Sequence, residues 1–563
     1  MRLQGTKMLS VVVSSLVLSL VVAEDAPLVS TEEGWISGVR QTSTKGRELY
    51  AYHSIPFAQP PLNHLRLKDP VPAESWVGVK DGSKMPQPCL QVPLRAATLG
   101  QRLSPENFLG SEDCLYLNVY TPADKSPESE LPVMVYIHGG AFFGGAANHY
   151  SPSALLNHDV VLVIIQYRLG VMGFLSTEDS VIPGNFGLKD QTLALQWVQR
   201  NINNFGGDKT KVTIFGESAG GVSVSLQMLA PKAKGLFSRV IMQSGTALAW
   251  WGTDFNHREK AEKIGQAFGC PVTSDSQILL ECLQKVDGRS LGAKVQDFFQ
   301  WFISPVPFVP RVDGDFIPGE PAKLILEGRH QMVDLMAGVT RDDGAFTSHA
   351  MYAMRNLIRD LEANFTTVGP LSIVIKEVMD GEDVVEVTRR VYQRYLGEEL
   401  NIDEDHSEAL TQLFNDVYFM VDHDLVTKFY AHHAHHHNTY RYVFSYRGEI
   451  SFGDLYDTHV GKNWVPHTDE LIYLFQLNLP RNETKPPKNQ NVSEDLRMTD
   501  ILTTLWTNFA ITGNPTPDGS LGFTWEPCTE DNLQSLDLIL EPTMIADQRQ
   551  EVSPPLSSTM QVK

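Results

Sequence analysis

The chain has 563 residues, of which 42% are hydrophobic and 20% charged, with a formal net charge of -21 at pH 7. This is the composition of an ordinary globular protein with a large core. The acidic balance argues against nucleic-acid binding, which needs a basic footprint, and favours solubility with a weak attraction for small cations.

The first residues read as a secretory signal peptide. Arg2 and Lys7 supply positive charge, MLSVVVSSLVLSLVV forms an apolar core, and Val21 and Ala23 fit the small-residue positions before cleavage ahead of Glu24. The run is too short and too interrupted by serine to be read as a membrane anchor. No later segment is apolar enough to span a bilayer, and the final SSTMQVK carries neither a retention signal nor a lipid-anchor tail. Residues 1–23 are therefore expected to be removed and the rest secreted without an anchor. For the mature chain, length alone allows several domains or one large α/β unit.

Near the start, GWISGVR (34–40) and ELYAYHSI (48–55) read as short antiparallel edge strands. LPVMVYIHGG (131–140) and VVLVIIQYR (160–168) are continuous apolar runs, as are KVTIF (211–215), RVIMQSG (239–245) and DLMAGV (334–339). Short runs with no polar alternation suit central strands buried on both faces. Between them, DQTLALQWVQRNINNF (190–205) repeats its apolar residues at helical spacing. The stretch from about 255 to 440 is mostly helical in pattern, an insertion over one end of the sheet, and YRYVFSY (440–446) is a late alternating strand. Strands alternating with helices point to an α/β sheet.

Five cysteines (Cys89, Cys114, Cys270, Cys282, Cys528) suit an oxidising compartment, and the odd number leaves one over. Spacing does not assign connectivity, although Cys270 and Cys282 are near enough in sequence to close a short loop. Asn364, Asn482 and Asn491 head N-x-[S/T] sequons that secretion would expose to glycosylation.

Two serines sit in a G-x-S-x-G pattern, Ser218 in GESAG (216–220) and Ser290 in GRSLG (288–292). Ser290 follows a helical pattern. Ser218 follows the strand KVTIF and precedes a helical pattern, and strand, sharp turn and helix together expose a nucleophilic hydroxyl at the carboxyl edge of a sheet. Glycine-rich HGGAFFGG (138–145) follows an earlier strand, where small residues can aim backbone N–H groups at a developing negative charge.

These motifs, with SEDCLYLNVYTP (111–122), YRLGVMGFL (167–175), GNFGLKDQTLALQWVQRNI (184–202), GLFSRVIMQSG (235–245), WVPHTDELIYLF (464–475) and TNFAITGNP (507–515), resemble the type-B carboxylesterase and cholinesterase branch of the α/β-hydrolases. In overall look the chain is most similar to arthropod secreted esterases of the juvenile-hormone-esterase type. The resemblance implies one domain over 24–563, built on a large, mixed, mostly parallel central sheet flanked by helices, with a helical insertion over its carboxyl end. It implies Ser218 as nucleophile, His467 as general base and Asp343 as the acid. Most relatives carry glutamate at the last position; aspartate is shorter, so Asp342 is an alternative. Thr468 would cap a helix opened by Asp469 and Glu470. The oxyanion donors would be the N–H groups of Gly140, Ala141 and Ala219, with Ala141 standing where many relatives have glycine. Implied disulfides are Cys89–Cys114 and Cys270–Cys282, and implied ion pairs are Arg66–Glu112 and Arg168–Asp190.

The implied chemistry needs no metal or cofactor: an acyl-enzyme forms on the serine and water hydrolyses it. The expected partner is a small-molecule ester. Cholinesterases carry a tryptophan inside the first disulfide loop, and here that loop (90–113) has none, which removes the cation–π surface for choline. Juvenile-hormone esterases usually have glutamine before the serine, where this chain has Glu217. Trp250 and Trp251 fall near the family's acyl pocket. The run HHAHHH (432–437) could bind a metal but reads better as a solvated helix end. Two rivals remain: a catalytically inert neuroligin-like adhesion protein, and an esterase that sequesters xenobiotics by acylating faster than it turns over.

Overall fold

The computed structural model describes residues 26–271, 273–375, 382–433, 436–476 and 492–546. The expected signal peptide and the sequons at Asn482 and Asn491 lie outside them. In chain order the strands are β1 (Leu28–Ser30), β2 (Trp35–Ser37), β3 (Val39–Thr42), β4 (Glu48–Pro56), β5 (Val79–Asp81), β6 (Tyr116–Pro122), β7 (Leu131–Ile137), β8 (Val161–Ile165), β9 (Gly207–Glu217), β10 (Arg239–Gln243), β11 (Asp334–Thr340), β12 (Thr439–Phe444), β13 (Ser535–Leu538) and β14 (Thr543–Ile545). Eleven of them form one sheet in the order β14-β13-β12-β11-β10-β9-β7-β8-β6-β4-β3, and β1, β2 and β5 form a small separate sheet.

The large sheet is parallel from β8 through β7 and β9 to β13, and antiparallel at both margins. Its central strands are apolar throughout because both faces are covered. In β7 all seven residues are buried. Val133, Val135 and Ile137 enter one core cluster while Met134 and Tyr136 enter another, on the opposite face. The helices Phe186–Asn201 and Ala219–Leu229 cover the first face, and the helix Val492–Thr512 covers the second. The protein is an α/β-hydrolase in architecture, and the five central runs read from sequence all lie in the sheet.

The order of strands determines where a ligand can sit. β8 lies on one side of β7, and β9 lies on the other. The connections leaving β7 and β9 therefore diverge, and a crevice opens at their carboxyl ends. The loop after β7 is HGGAFFGG, and the residue after β9 is Ser218.

Two expectations need correction at the amino end. GWISGVR is not one strand: Trp35–Ser37 pairs in the small sheet and Val39–Thr42 in the large one. ELYAYHSI is neither short nor an edge, because β4 runs nine residues between β3 and β6. Its buried positions face core that lies far away in sequence. The 255–440 stretch is helical as expected, except that β11 threads through it into the sheet.

Candidate active site

Ser218 joins β9 to the helix Ala219–Leu229 with φ 58° and ψ -124°, a conformation that an L-residue rarely adopts. The turn closes only because its neighbours lack Cβ atoms. A Cβ on Gly220 would lie 2.0 Å from the carbonyl oxygen of Ile137 in β7. The Ser218 N–H donates to Gln243 O at 2.8 Å and its carbonyl accepts from Val222 at 3.0 Å, so the strain is held from both sides.

The glycine loop after β7 is strained as well. Gly140 has φ 110°, and Ala141 sits in the left-handed region at φ 51°. The N–H groups of Gly140 and Ala141 meet no acceptor among the described residues. Ala219 is the first residue of its helix, so its N–H has no intrahelical acceptor. All three donors border one cavity or adjoin Ser218, which also lines it.

His467 lies on the loop before a short helix, Leu471–Phe475. Its Nδ1 is 2.7 Å from Asp343 Oδ1. The other oxygen of Asp343 accepts from Ser244 Oγ at 2.8 Å and from Thr340 N at 3.0 Å. Asp343 has no solvent exposure. An ionised carboxylate on Nδ1 keeps the proton there and leaves the Nε2 lone pair to accept one. Nε2 faces Glu217, with Oε1 at 3.0 Å and no hydrogen bond made by that oxygen. Burial, and then the Asp343 charge, push the Glu217 carboxyl well above the usual glutamate range. The protonated form of Glu217 is thereby favoured beside the imidazole.

Asp342 does not reach His467. Its Oδ2 accepts from Val465 N at 2.8 Å while its own N–H donates to Val465 O at 3.1 Å. It ties down the loop that carries the histidine, and burial raises its pKa. The expected Thr468 cap is absent. Thr468 has φ 78°, and the helix starts only at Leu471. The two acids turn inward instead: Asp469 accepts from Phe452 N at 2.8 Å, and Glu470 accepts from Gln243 Nε2 at 2.9 Å.

The cavity has a volume of about 420 Å³. Besides the groups above, its walls include Trp251, Phe302, Phe346, Tyr418 and Phe419. The tryptophan pair divides. Trp251 lines the cavity and donates its indole N–H to Tyr418 O at 3.0 Å. Trp250 points away, among Ile373, Val391, Val417 and Val421, and so leaves the substrate pocket. Sequence reasoning missed Ser244, which the strand end MQSG could have flagged, and it missed Phe346 and Phe419, for which no local signal exists.

Cys89–Cys114 and Cys270–Cys282 are disulfides, and Cys528 is buried and unpaired. Arg66 meets Glu112 through two hydrogen bonds, at 2.6 and 2.7 Å, and Arg168 meets Asp190 likewise at 2.8 and 2.7 Å. Asn364 is exposed between two helices. Ser290 lies in the short helix Gly288–Ala293, capped by Asp287 and led into by no strand. In the histidine run, His432 pairs with Glu530 and His437 with Asp334, and no metal-holding group forms among the described residues. No helix among the described residues is long and apolar enough to cross a membrane.

Comparison with known proteins identifies the family. The model of the carboxylesterase family matches residues 25–554. A carboxylic ester hydrolase of Bombus ignitus is 35% identical over 501 residues, covering 87% of this chain and 86% of the relative. Juvenile hormone esterase of Tribolium castaneum is 33% identical over 88% of this chain and 85% of its own. Carboxylesterase 1E of Mus musculus is 36% identical over 88% and 87%. The chain belongs to the carboxylesterase family of α/β-hydrolases and is an ester hydrolase.

Proposed function

We propose that the protein is a secreted serine carboxylesterase that acts on small apolar carboxylic esters through an acyl-enzyme on Ser218. The observation that carries this reading is the 2.7 Å bond from His467 Nδ1 to Asp343, at the rim of the cavity that Ser218 also lines. His467 Nε2 takes the Ser218 proton as the oxygen attacks the ester carbonyl, and returns it to the leaving alcohol. Asp343 orients the imidazole and stabilises its cation. The N–H groups of Gly140, Ala141 and Ala219 hold the tetrahedral oxyanion, each worth about 10²–10³ in rate. Water, activated by the same histidine, then hydrolyses the acyl-enzyme. Residues 1–23 would be cleaved as a signal peptide, leaving 24–563 as one catalytic unit.

The aromatic walls favour neutral, apolar acyl and alcohol groups. A second reading, a sesquiterpenoid methyl-ester substrate, draws on the relative named juvenile hormone esterase and on the aromatic walls of the cavity. Retention of serine, histidine and acid together counts against an inert adhesion role. The test is hydrolysis of 1-naphthyl acetate and of a panel of acyl and alcohol chain lengths by mature protein, with Ser218→Ala as control. Full turnover by Ser218→Ala would overturn the reading. A burst of one equivalent followed by arrest would mark a sequestering protein.

A further inference from the structure

The His467 imidazole is enclosed by two aromatic rings. Phe419 stacks on its face with centroids 4.6 Å apart and planes at 27°, and Phe346 meets it edge-on at 5.7 Å and 64°. Phe346 follows the acid loop closely in sequence. Phe419 arrives from a distant element, a five-residue π-helical turn at Asp416–Met420 between the helices Ser407–Asn415 and Val421–His433. Such turns are rare, and they redirect the residues beyond them by up to about 100° relative to a regular helix.

This turn is pinned at several points. Tyr418 O accepts from Trp251 Nε1 at 3.0 Å. The Asp416 carboxylate accepts from Tyr395 OH at 2.7 Å and from Gln412 Nε2 at 2.8 Å. The Tyr418 hydroxyl donates to Ser372 O. The consequence is that Tyr418 and Phe419 both face the cavity. Phe419 is 5% exposed and His467 6%, so the stacked pair is largely buried.

We propose that Phe419, set by the π-turn and by the Trp251 indole, is a positioning residue for His467, an inference that rests on His467 being the general base. Its ring face holds the imidazole with Nε2 toward the cavity. When the Ser218 proton arrives, the same face stabilises the imidazolium, because a cation over an aromatic face is attracted by the ring quadrupole and more strongly where water is excluded. The titratable groups beside the imidazole are Asp343 at Nδ1 and Glu217 at Nε2. Neither is altered by a change at Phe419.

The experiment compares Phe419→Leu, which keeps apolar bulk, with Phe419→Tyr, which keeps the ring, using 1-naphthyl acetate across pH. Phe419→Leu is expected to lower kcat about tenfold with KM within about twofold, and to move the acid limb of kcat/KM down by about half a pH unit or more. Phe419→Tyr is expected to match the wild type in both. Trp251→Phe, which removes the indole N–H and shrinks the ring that packs on Phe419, is expected to lower kcat about threefold and to move the limb in the same direction. An unmoved acid limb in Phe419→Leu, a rise in KM that accounts for its whole loss, or equal failure of Phe419→Tyr overturns the proposal. A wild-type protein that hydrolyses no ester overturns the general-base reading instead.

Discussion

Asp342 and Asp343 are neighbours in sequence with opposite surroundings. Asp343 points into the core, where Ser244, Thr340 and His467 take up both its oxygens. Asp342 points at the backbone of Val465. Asp343→Asn should therefore lower kcat about 10⁴-fold, since an amide favours the wrong imidazole tautomer. Asp342→Asn should keep kcat within about tenfold and lose about 1–3 kcal/mol of stability through the weakened bond to Val465. Steady-state kinetics and thermal unfolding of the two variants separate these outcomes, and the reverse order would give Asp342 the acid's role. One methylene shorter than glutamate, the aspartate still reaches because Ser244 and Thr340 fix its far oxygen. No local pattern announces that pair of donors.

At the scale of elements, the turn from β9 into its helix is tightly constrained. Gly220→Ala would drive a methyl to 2.0 Å from Ile137 O, against the rigid backbone at the end of β7. We expect a loss of more than about 4 kcal/mol, read as failure to accumulate soluble protein, whereas Ser218→Ala should fold normally and lack only turnover. The central strands were legible because burial on both faces leaves an unbroken apolar run, and the helix Phe186–Asn201 because one face must pack. The amino-terminal strands were misread. GWISGVR carries one pattern but serves two sheets, and only the pairing partners, β1 and β5 on one side and β4 on the other, divide it. The π-turn was invisible for a related reason: it is held by Trp251, Tyr395 and Ser372 from other parts of the chain.

At the scale of the whole molecule, stability depends on covalent ties and on buried acids. Opening Cys270–Cys282, which spans 12 residues, with Cys270→Ala and Cys282→Ala should cost about 3 kcal/mol, measured by denaturant unfolding under non-reducing conditions. Glu470 is raised from 4.5 to about 8 by burial and then by the Glu217 and Asp343 carboxyls. Folding thus favours its protonated form. The stability it contributes is complete below pH 4.5 and is lost as pH rises to about 8. Glu470→Gln cannot ionise, so its advantage over the wild type should grow across that window to on the order of 5 kcal/mol. Equal unfolding free energies at both ends would contradict the shift. The sequence by itself determined the class of fold through its alternation of apolar runs and helical patterns, and the turn at Ser218 and the glycine loop because each is a local arrangement whose backbone conformation demands particular residues in succession. Only the tertiary structure decided which aspartate meets His467, which tryptophan faces the cavity and which rings enclose the imidazole. Those choices depend on side chains from distant segments converging at one sheet edge, and the direction in which a side chain points is set by packing rather than by its neighbours in the chain.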